Sequence, residues 1–264
     1  MIYDNILYNL DKADLDKPIY RIMTIERLSE LFNKGQLIFP QVKAWEDVYE
    51  NFLLKSNFTD SDGSDFQIDD DFEEYFGQCW SLTKDSDALW RIYSPDKKNI
   101  RVKTTIRKIA ELLSHESVSK IGDHKVFCFD DKVIGKVEYE TCENINKKIQ
   151  EDIWMGYDNN IFPFIKTSLF LKRKEFKHEN EIRIIYLADE DDSRLIDGKK
   201  LVAFDINPFE FIEEIAFDPR IEDSVFQILK KGIIQKYNDF PESRIVKSEL
   251  YQCTPFEFKL EKPK

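Results

Sequence analysis

The stretch "KHENEIRIIYLAD", Lys177–Asp189, decides how the chain reads. Ile182 to Leu187 form a β-branched and aromatic run, the composition of a strand built for burial. Two carboxylates, Glu179 and Glu181, stand directly before that run with one Asn between them. An unpaired charge is costly to bury, so this E-x-E is either the solvated end of a core strand or a pair of carboxylates set at the mouth of a cleft. On extended backbone the two glutamates share a face, because strand side chains alternate with a period of two. Arg183 falls on the same face and is placed to pair with Glu181, which suits a permanently ionised carboxylate. His178 has no visible partner and reads as a surface residue.

Outward from this strand, the pattern alternates between the two regular periods. "IYRIMT" (Ile19–Thr24) is β-leaning, and "IERLSELFNKGQ" follows with Ile25, Leu28, Leu31 and Phe32 at helical spacing, Thr24 as N-cap and Gly35 as C-cap. "LIFP" is a short strand stopped by Pro40, and "WEDVYENFLLKS" (Trp45–Ser56) a helix. "FGQCWSLTKD" (Phe76–Asp85) is strand-like. "SDALWRIYS" begins a short helix that packs through Ala88, Leu89 and Ile92. A strand "IRVKT", a helix "TIRKIAELLS", two strands around an Asp130–Asp131 turn and a helix "ENINKKIQEDIW" come next. The apolar stretch around "NNIFPFIKTSLFLKRKEF" is a helix or buried crossing segment interrupted by Pro163. Beyond Asp189 lie strands in "KLVAFDI", "FIEEIAFDP" and "RIVKSELY", with a helix in "EDSVFQILKKGIIQKYN". Residues 1–17 form a loose lead-in or a short helix. The sum is an α+β fold with mixed, mostly antiparallel sheets and flanking helices, in one domain over 1–264.

With 264 residues, 42% of them hydrophobic, the chain can bury a sizeable core. A net charge of −12 argues against broad wrapping of nucleic acid, though not against a local basic cleft. The start of the chain lacks the basic and apolar regions of a signal peptide, and no window reaches 18 apolar residues, so a cytoplasmic protein without a membrane span is expected. Cys79, Cys128, Cys142 and Cys253 lack CxxC spacing and read as reduced thiols. His115, His124 and Cys128 cluster without a fourth ligand at a usual zinc spacing, so no metal site is assigned. The acidic stretch at 59–75 fails the calcium-loop pattern, because Phe58 stands where a ligand is needed before Gly63. It reads as a flexible, solvated loop.

Three places join strand-end geometry to reactive side chains. Arg21 lies on the first long strand; Ser81 and Thr83 present two hydroxyls on one face; Glu179 and Glu181 precede the buried strand. Such a set suits a substrate with phosphates, a ribose and a bond that breaks through an oxocarbenium ion. The guanidinium clamps phosphate or ribose oxygens, the hydroxyls fix a sugar edge, and a carboxylate offsets charge at the anomeric carbon. Each element also has a plain structural reading: an Arg paired on the surface, hydroxyls satisfying backbone, a wet strand end. Trp80 and Trp90 can stack on a base or pack the core. Arg91 and Tyr93 end the Trp90 helix and are candidates to line the same cleft.

The segments "IYRIMTIERLSELFNKGQLIFPQVKAWEDVYENFLL", "CWSLTKDSDALWRIYS" and "FKHENEIRIIY" together resemble a bacterial family known as domain of unknown function two-nine-seven-one, over about Ile19 to Asp189. Its W-D-P-F-E type signature stands here as Trp45-Glu46-Asp47-Val48-Tyr49-Glu50, with Val48 at the proline position, which leaves Asp47 and Glu50 available. More distantly, an Arg on the first strand, an S-x-S/T strand and a later E-x-E resemble the arginine–serine–glutamate class of the ADP-ribosyltransferase superfamily. That resemblance implies a split β-sandwich and NAD as substrate. It implies Glu181 as the catalytic carboxylate on the nicotinamide ribose and Glu179 as the group that orients or deprotonates the acceptor. Arg21, Ser81, Thr83 and Trp90 fall on the NAD side.

The function that follows is an ADP-ribosyltransferase-like enzyme, acting as a bacterial toxin or phage-defence effector. Its partners would be a macromolecular acceptor, protein or nucleic acid, and a regulatory or antitoxin protein. Two alternatives stay open: a non-catalytic sensor or interaction domain that meets a basic partner through its acidic loop, and a metal-dependent nuclease or hydrolase built on Asp47, Glu50 and the E-x-E.

Overall fold

A computed structural model describes residues 6–45, 50, 52–53, 56–59, 62–66, 74–114, 132–156, 167–188 and 191–258. The early strands are β1 (Leu7–Tyr8), β2 (Pro18–Met23), β3 (Gln36–Pro40), β4 (Phe58–Thr59), β5 (Asp65–Phe66) and β6 (Tyr75–Ser81). There follow β7 (Ile100–Thr105), β8 (Lys132–Lys136), β9 (Glu138–Glu140), β10 (Leu171–Arg173) and β11 (Glu181–Leu187). The last are β12 (Leu195–Ile196), β13 (Leu201–Asp205), β14 (Glu214–Phe217) and β15 (Ile245–Lys247). Helices are α1 (Ile25–Lys34), α2 (Asp87–Tyr93), α3 (Ile106–Ser114), α4 (Cys142–Gly156), α5 (Pro208–Phe211) and α6 (Asp223–Lys236).

Eight strands form one mixed sheet in the order β1-β8-β11-β6-β2-β7-β14-β15. Its outermost pairs are parallel and the five junctions between them antiparallel, so the α+β class with mostly antiparallel pairing is as expected. β6 runs beside β11 along its whole length, from Ser81 opposite Glu181 to Tyr75 opposite Leu187. β6 and β2, by contrast, meet at a single register pair, Tyr20 opposite Ser81. Past that pair the two strands part, so the sheet is split into a β1-β8-β11-β6 half and a β2-β7-β14-β15 half.

Alternation assigns the two faces. Ile182, Ile184 and Tyr186 of β11 point into the larger core with Leu28 and Phe32 of α1 and Ile106, Ile109 and Leu113 of α3. Ile185 points the other way, into a second core with Ile145 and Ile149 of α4 and with Phe170. A strand covered on both faces explains why this run carries so few polar residues. α1 is bounded as its sequence predicts: Thr24 accepts from the Arg27 backbone N–H at 3.2 Å, and Gly35 ends the helix at φ 62°, a conformation suited to glycine.

Several local expectations are corrected. Residues 7–8 pair with β8 as a strand, and the short helix of the lead-in is a 3-10 turn at Lys12–Asp14 held by an Asp11 cap. On α2 the buried residues are Leu89 and Trp90, whereas Ile92 is 52% exposed, because α2 is only two turns long and docks by one edge. The apolar stretch before Lys174 ends as strand β10, paired in parallel with β9. At the start of the acidic stretch β4 and β5 pair as antiparallel strands, and its residues 60–61 and 67–73 lie outside the described residues. Most of the Trp45–Ser56 helix, the first strand of the Asp130 turn, Asp47, Pro163, His115, His124 and Cys128 lie outside the described residues. Among the described residues Cys79, Cys142 and Cys253 are free thiols, and no helix is long and apolar enough to cross a membrane.

Candidate active site

A cleft of about 230 Å³ opens where β2 and β6 part. β2 lines it with Tyr20, Arg21 and Ile22, and β6 with Cys79, Trp80 and Ser81. Thr83, Lys84, Trp90, Tyr93 and Arg101 add a third wall, and Glu179 and Glu181 close one end. Arg21, Ser81, Thr83, Trp90, Glu179 and Glu181, spread over 160 positions of sequence, therefore line one cavity.

The two glutamates do not meet through strand alternation. Glu179 ends a 3-10 turn (Lys174–Glu179), Asn180 takes a left-handed conformation at φ 46°, and only then does β11 begin at Glu181. The Asn is what this geometry needs, since its short polar side chain tolerates φ > 0. Ser81 fixes the turn: its hydroxyl donates to the Glu179 carbonyl at 2.6 Å and accepts from the Thr83 backbone N–H at 3.0 Å. The Thr83 hydroxyl accepts from the Asn180 amide at 3.3 Å. Both hydroxyls thus brace the backbone that presents the carboxylates.

Neither glutamate is a wet strand end; each is 6% exposed. They survive burial because cations approach from behind. Lys172 lies 2.5 Å from Glu179 and 3.1 Å from Glu181, and Arg183 donates through Nε to Glu181 at 2.8 Å. Arg183 is fully buried, also donates to the Leu169 carbonyl and to Glu50, and stacks over Trp45 at 4.8 Å. Burial alone would raise the Glu181 pKa, but Arg183 and Lys172 outweigh it and hold the carboxyl down at about 2. Glu179 moves the other way: burial and its bond to Glu181 raise it, against the pull of Lys172. Tyr93 donates to Glu179 at 3.2 Å from the cleft rim, where its side chain is 44% exposed. The Tyr139 hydroxyl accepts from the Glu181 backbone N–H at 2.8 Å.

On the opposite wall Arg21 is partly buried, and among the described residues it makes no ion pair and no side-chain hydrogen bond. Burial pushes its pKa down, yet a guanidinium stays charged at neutral pH. Lys84, exposed on the same cleft, is likewise unpaired among the described residues. Arg101 is spoken for, donating to Asp85, to Glu214 at 2.7 Å and to the Lys84 carbonyl. Trp90 is wholly buried with its indole N–H on Asp85 at 3.2 Å, so it forms the cleft floor and its ring is not a free stacking platform. Trp80 is core, its N–H on Gln78 at 2.7 Å. Arg91 pairs with Asp87 on the surface and does not line the cleft, whereas Tyr93 does.

Lys172 and Tyr139 escaped the sequence reading. The available signal for Lys172 was a lysine directly after the apolar run Leu169-Phe170-Leu171, seven residues before the first glutamate. Glu50 was legible only as a carboxylate of the Trp45–Glu50 signature, and its partners were not.

Residues 89–184 match the model of a family described as protein of unknown function (DUF2971). The matched segment covers just over a third of the chain. It is narrower than the span anticipated from sequence and runs from α2 into β11, so it includes Trp90, Tyr93, Lys172, both glutamates and Arg183, while Arg21 and Ser81 precede it. No curated protein matches the chain. Solved structures similar to it include DarT of Thermus sp. 2.9 in complex with NAD+, at 13% identity and a TM-score of 0.39, covering 89% of this chain and 96% of that one. The same protein with ADP-ribosylated ssDNA gives 12%, 0.36, 89% and 95%, and with carba-NAD+ 14%, 0.35, 89% and 96%. At these scores the case for the site rests on its own geometry.

Proposed function

We propose that this protein is a cytoplasmic ADP-ribosyltransferase-like enzyme that cleaves the nicotinamide–ribose bond of NAD and passes ADP-ribose to a macromolecular acceptor, as a toxin or phage-defence effector. The observation that carries the reading is a cation left over on one cleft: Arg21, which has no ion pair among the described residues, lines the cavity that an ionised Glu181, held from behind by Lys172 and Arg183, closes at one end. In a chain of net charge −12, a cation without a carboxylate is kept for an anion from outside. Free thiols fit the reducing cytoplasm.

Each residue then has a task. Arg21, with Lys84, holds the diphosphate. Glu181 has both oxygens anchored from behind by Lys172 and Arg183, and a carboxylate oxygen keeps further acceptor capacity for a ribose hydroxyl. Its fixed negative charge stabilises the positive charge that grows at the anomeric carbon. Glu179, whose pKa is raised, is the better base near neutral pH and takes the acceptor's proton as the new bond forms. Ser81 and Thr83 hold the turn that carries both. The cleft, about 230 Å³, falls below the roughly 300–1,000 Å³ of a drug-sized site, so it takes the nicotinamide-ribose half while the rest of the dinucleotide extends past the rim.

The metal-hydrolase alternative has its carboxylates together, since Glu50, Glu179 and Glu181 converge. A divalent ion would, however, have to displace Lys172, which already bonds all three. The deciding experiment incubates wild type and Glu181→Gln with labelled NAD and a cell lysate, with chelator in parallel. The enzymatic reading expects label transfer or nicotinamide release, lowered about a hundredfold or more by Glu181→Gln and untouched by chelator. NAD binding with no turnover in any lysate, or turnover equal in the variant, would overturn it.

A further inference from the structure

We propose that Lys172 is the positioning residue that divides the labour between Glu179 and Glu181, by holding one oxygen of each from behind the cleft. This rests on the enzymatic reading above and adds a side chain which does not itself line the cavity.

Lys172 stands on β10, 5% exposed, under the ring of Phe176 at 4.8 Å. Its Nζ is 2.5 Å from Glu179 Oε2, 3.1 Å from Glu181 Oε1 and 3.1 Å from Glu50 Oε1. An ammonium has three donors and no acceptor, so each N–H has one carboxylate to serve. Arg183 reaches Glu181 and Glu50 but not Glu179. Among the described residues Lys172 is therefore the sole cation on Glu179, while Glu181 has two. The other titratable groups against the cluster are Tyr93 on Glu179, Tyr139 on the Glu181 backbone, and the Cys79 thiol of β6, opposite Arg183, which burial and Glu181 push up. Three carboxylates face two cations, so one negative charge is unmatched in a poorly solvated place. The doubly held Glu181 keeps its charge, and the surplus falls on Glu179. The strength of the Lys172 contact sets how readily Glu179 ionises, and hence the pH at which it can serve as base.

The test uses the full chain with Lys172→Met, Lys172→Arg and Glu50→Gln. Carboxyl titrations are followed by ¹³C NMR on labelled glutamate, assigned with Glu179→Gln and Glu181→Gln, beside the pH profile of NAD turnover. Lys172→Met is expected to move the Glu179 titration upward and leave Glu181 acidic. The acid limb of turnover shifts to higher pH, with a loss of about tenfold at pH 6 that Lys172→Arg partly restores. An unmoved Glu179 titration overturns the proposal. If Lys172→Met does not fold, Glu50→Gln decides: relieved of one carboxylate, Lys172 must lower the Glu179 titration, and no change or a rise refutes the role. Should wild type lack NAD turnover while these titrations move as stated, the charge division stands and the transferase reading falls.

Discussion

The two walls of the cleft treat charge in opposite ways. On the β11 side, Glu50, Lys172, Glu179, Glu181 and Arg183 form a buried cluster in which every member has a partner. On the β2 side, Arg21 has none among the described residues. If the chain served stability alone, Arg21 would be expected to close on Glu179 or Glu181, since all three line one cavity. The glutamates are instead neutralised from the rear, by residues on β10 and β11, and from the cleft rim Glu179 takes a bond from the neutral Tyr93 hydroxyl, not from a cation. Charge held apart across a gap is preorganised for a ligand that carries both signs.

The largest effect separates the two arginines by stability. Arg183→Ala strands Glu50 and Glu181 in a buried site and is expected to cost about 3–5 kcal/mol in a denaturant melt. Arg21→Ala strands no partner among the described residues and should cost about 1 kcal/mol or less. Equal losses would mean that Arg21 is structural as well, and the contrast between the walls would vanish.

Acid should attack one wall only. Glu181 is held at about 2 against an ordinary 4.5, so it contributes stability that is complete above pH ~5 and is lost as pH falls toward 2. Glu179 has the opposite sign: its raised value favours the folded protein at low pH and weakens it as pH rises through that value. Melting temperature against pH should therefore lose part of its acid slope in Glu181→Gln, the rest belonging to carboxylates such as Asp218 and Glu213 that are also held down, whereas Glu179→Gln should gain stability on the alkaline side. A flat profile in wild type would show that the cluster is not buried as described.

Binding gives the next effect. Removing the Arg21 guanidinium forfeits a charge-assisted hydrogen bond worth about 1.5–3 kcal/mol, or roughly ten- to a hundredfold in NAD affinity. Titration calorimetry checks it, and the loss should shrink in high salt only if the contact is exposed to solvent.

How much of this was readable beforehand depends on the range of the interaction. α1 announced itself because its caps and its apolar stripe are local: Thr24, Gly35 and Leu28, Leu31, Phe32 all lie within twelve residues. The burial of β11 was legible from its β-branched and aromatic run, broken only by Arg183, and the Arg183–Glu181 bond from their spacing. What joins Glu179 to Glu181 was not legible as alternation, because one left-handed residue, Asn180, replaces the extended backbone that the spacing suggests. Lys172 was hidden for a different reason. Its meaning comes from Glu50, 122 positions away, and from a β10–β9 pairing that no local pattern encodes. Trp90 offered a ring that could stack or pack, and only the Asp85–Arg101 network behind it decides for packing.

The smallest effect tests the rim, where the two walls come nearest to touching. Tyr93 belongs to α2, which is tied to the β2 half: Arg220, bound to Asp218 after β14, donates to the Trp90 and Ser94 carbonyls at 2.7 and 2.8 Å. Its hydroxyl nevertheless donates to Glu179 on the β11 half. Tyr93→Phe keeps the ring and removes that one bond, so turnover should change by about fivefold, the equivalent of ~1 kcal/mol, with folding unaffected. The direction is informative. The bond favours the ionised glutamate, so its loss should lower activity most on the acid side of the profile, where Glu179 has least of its base form. A uniform drop across pH would instead assign Tyr93 to holding the substrate, with its ring as the lip of the cleft.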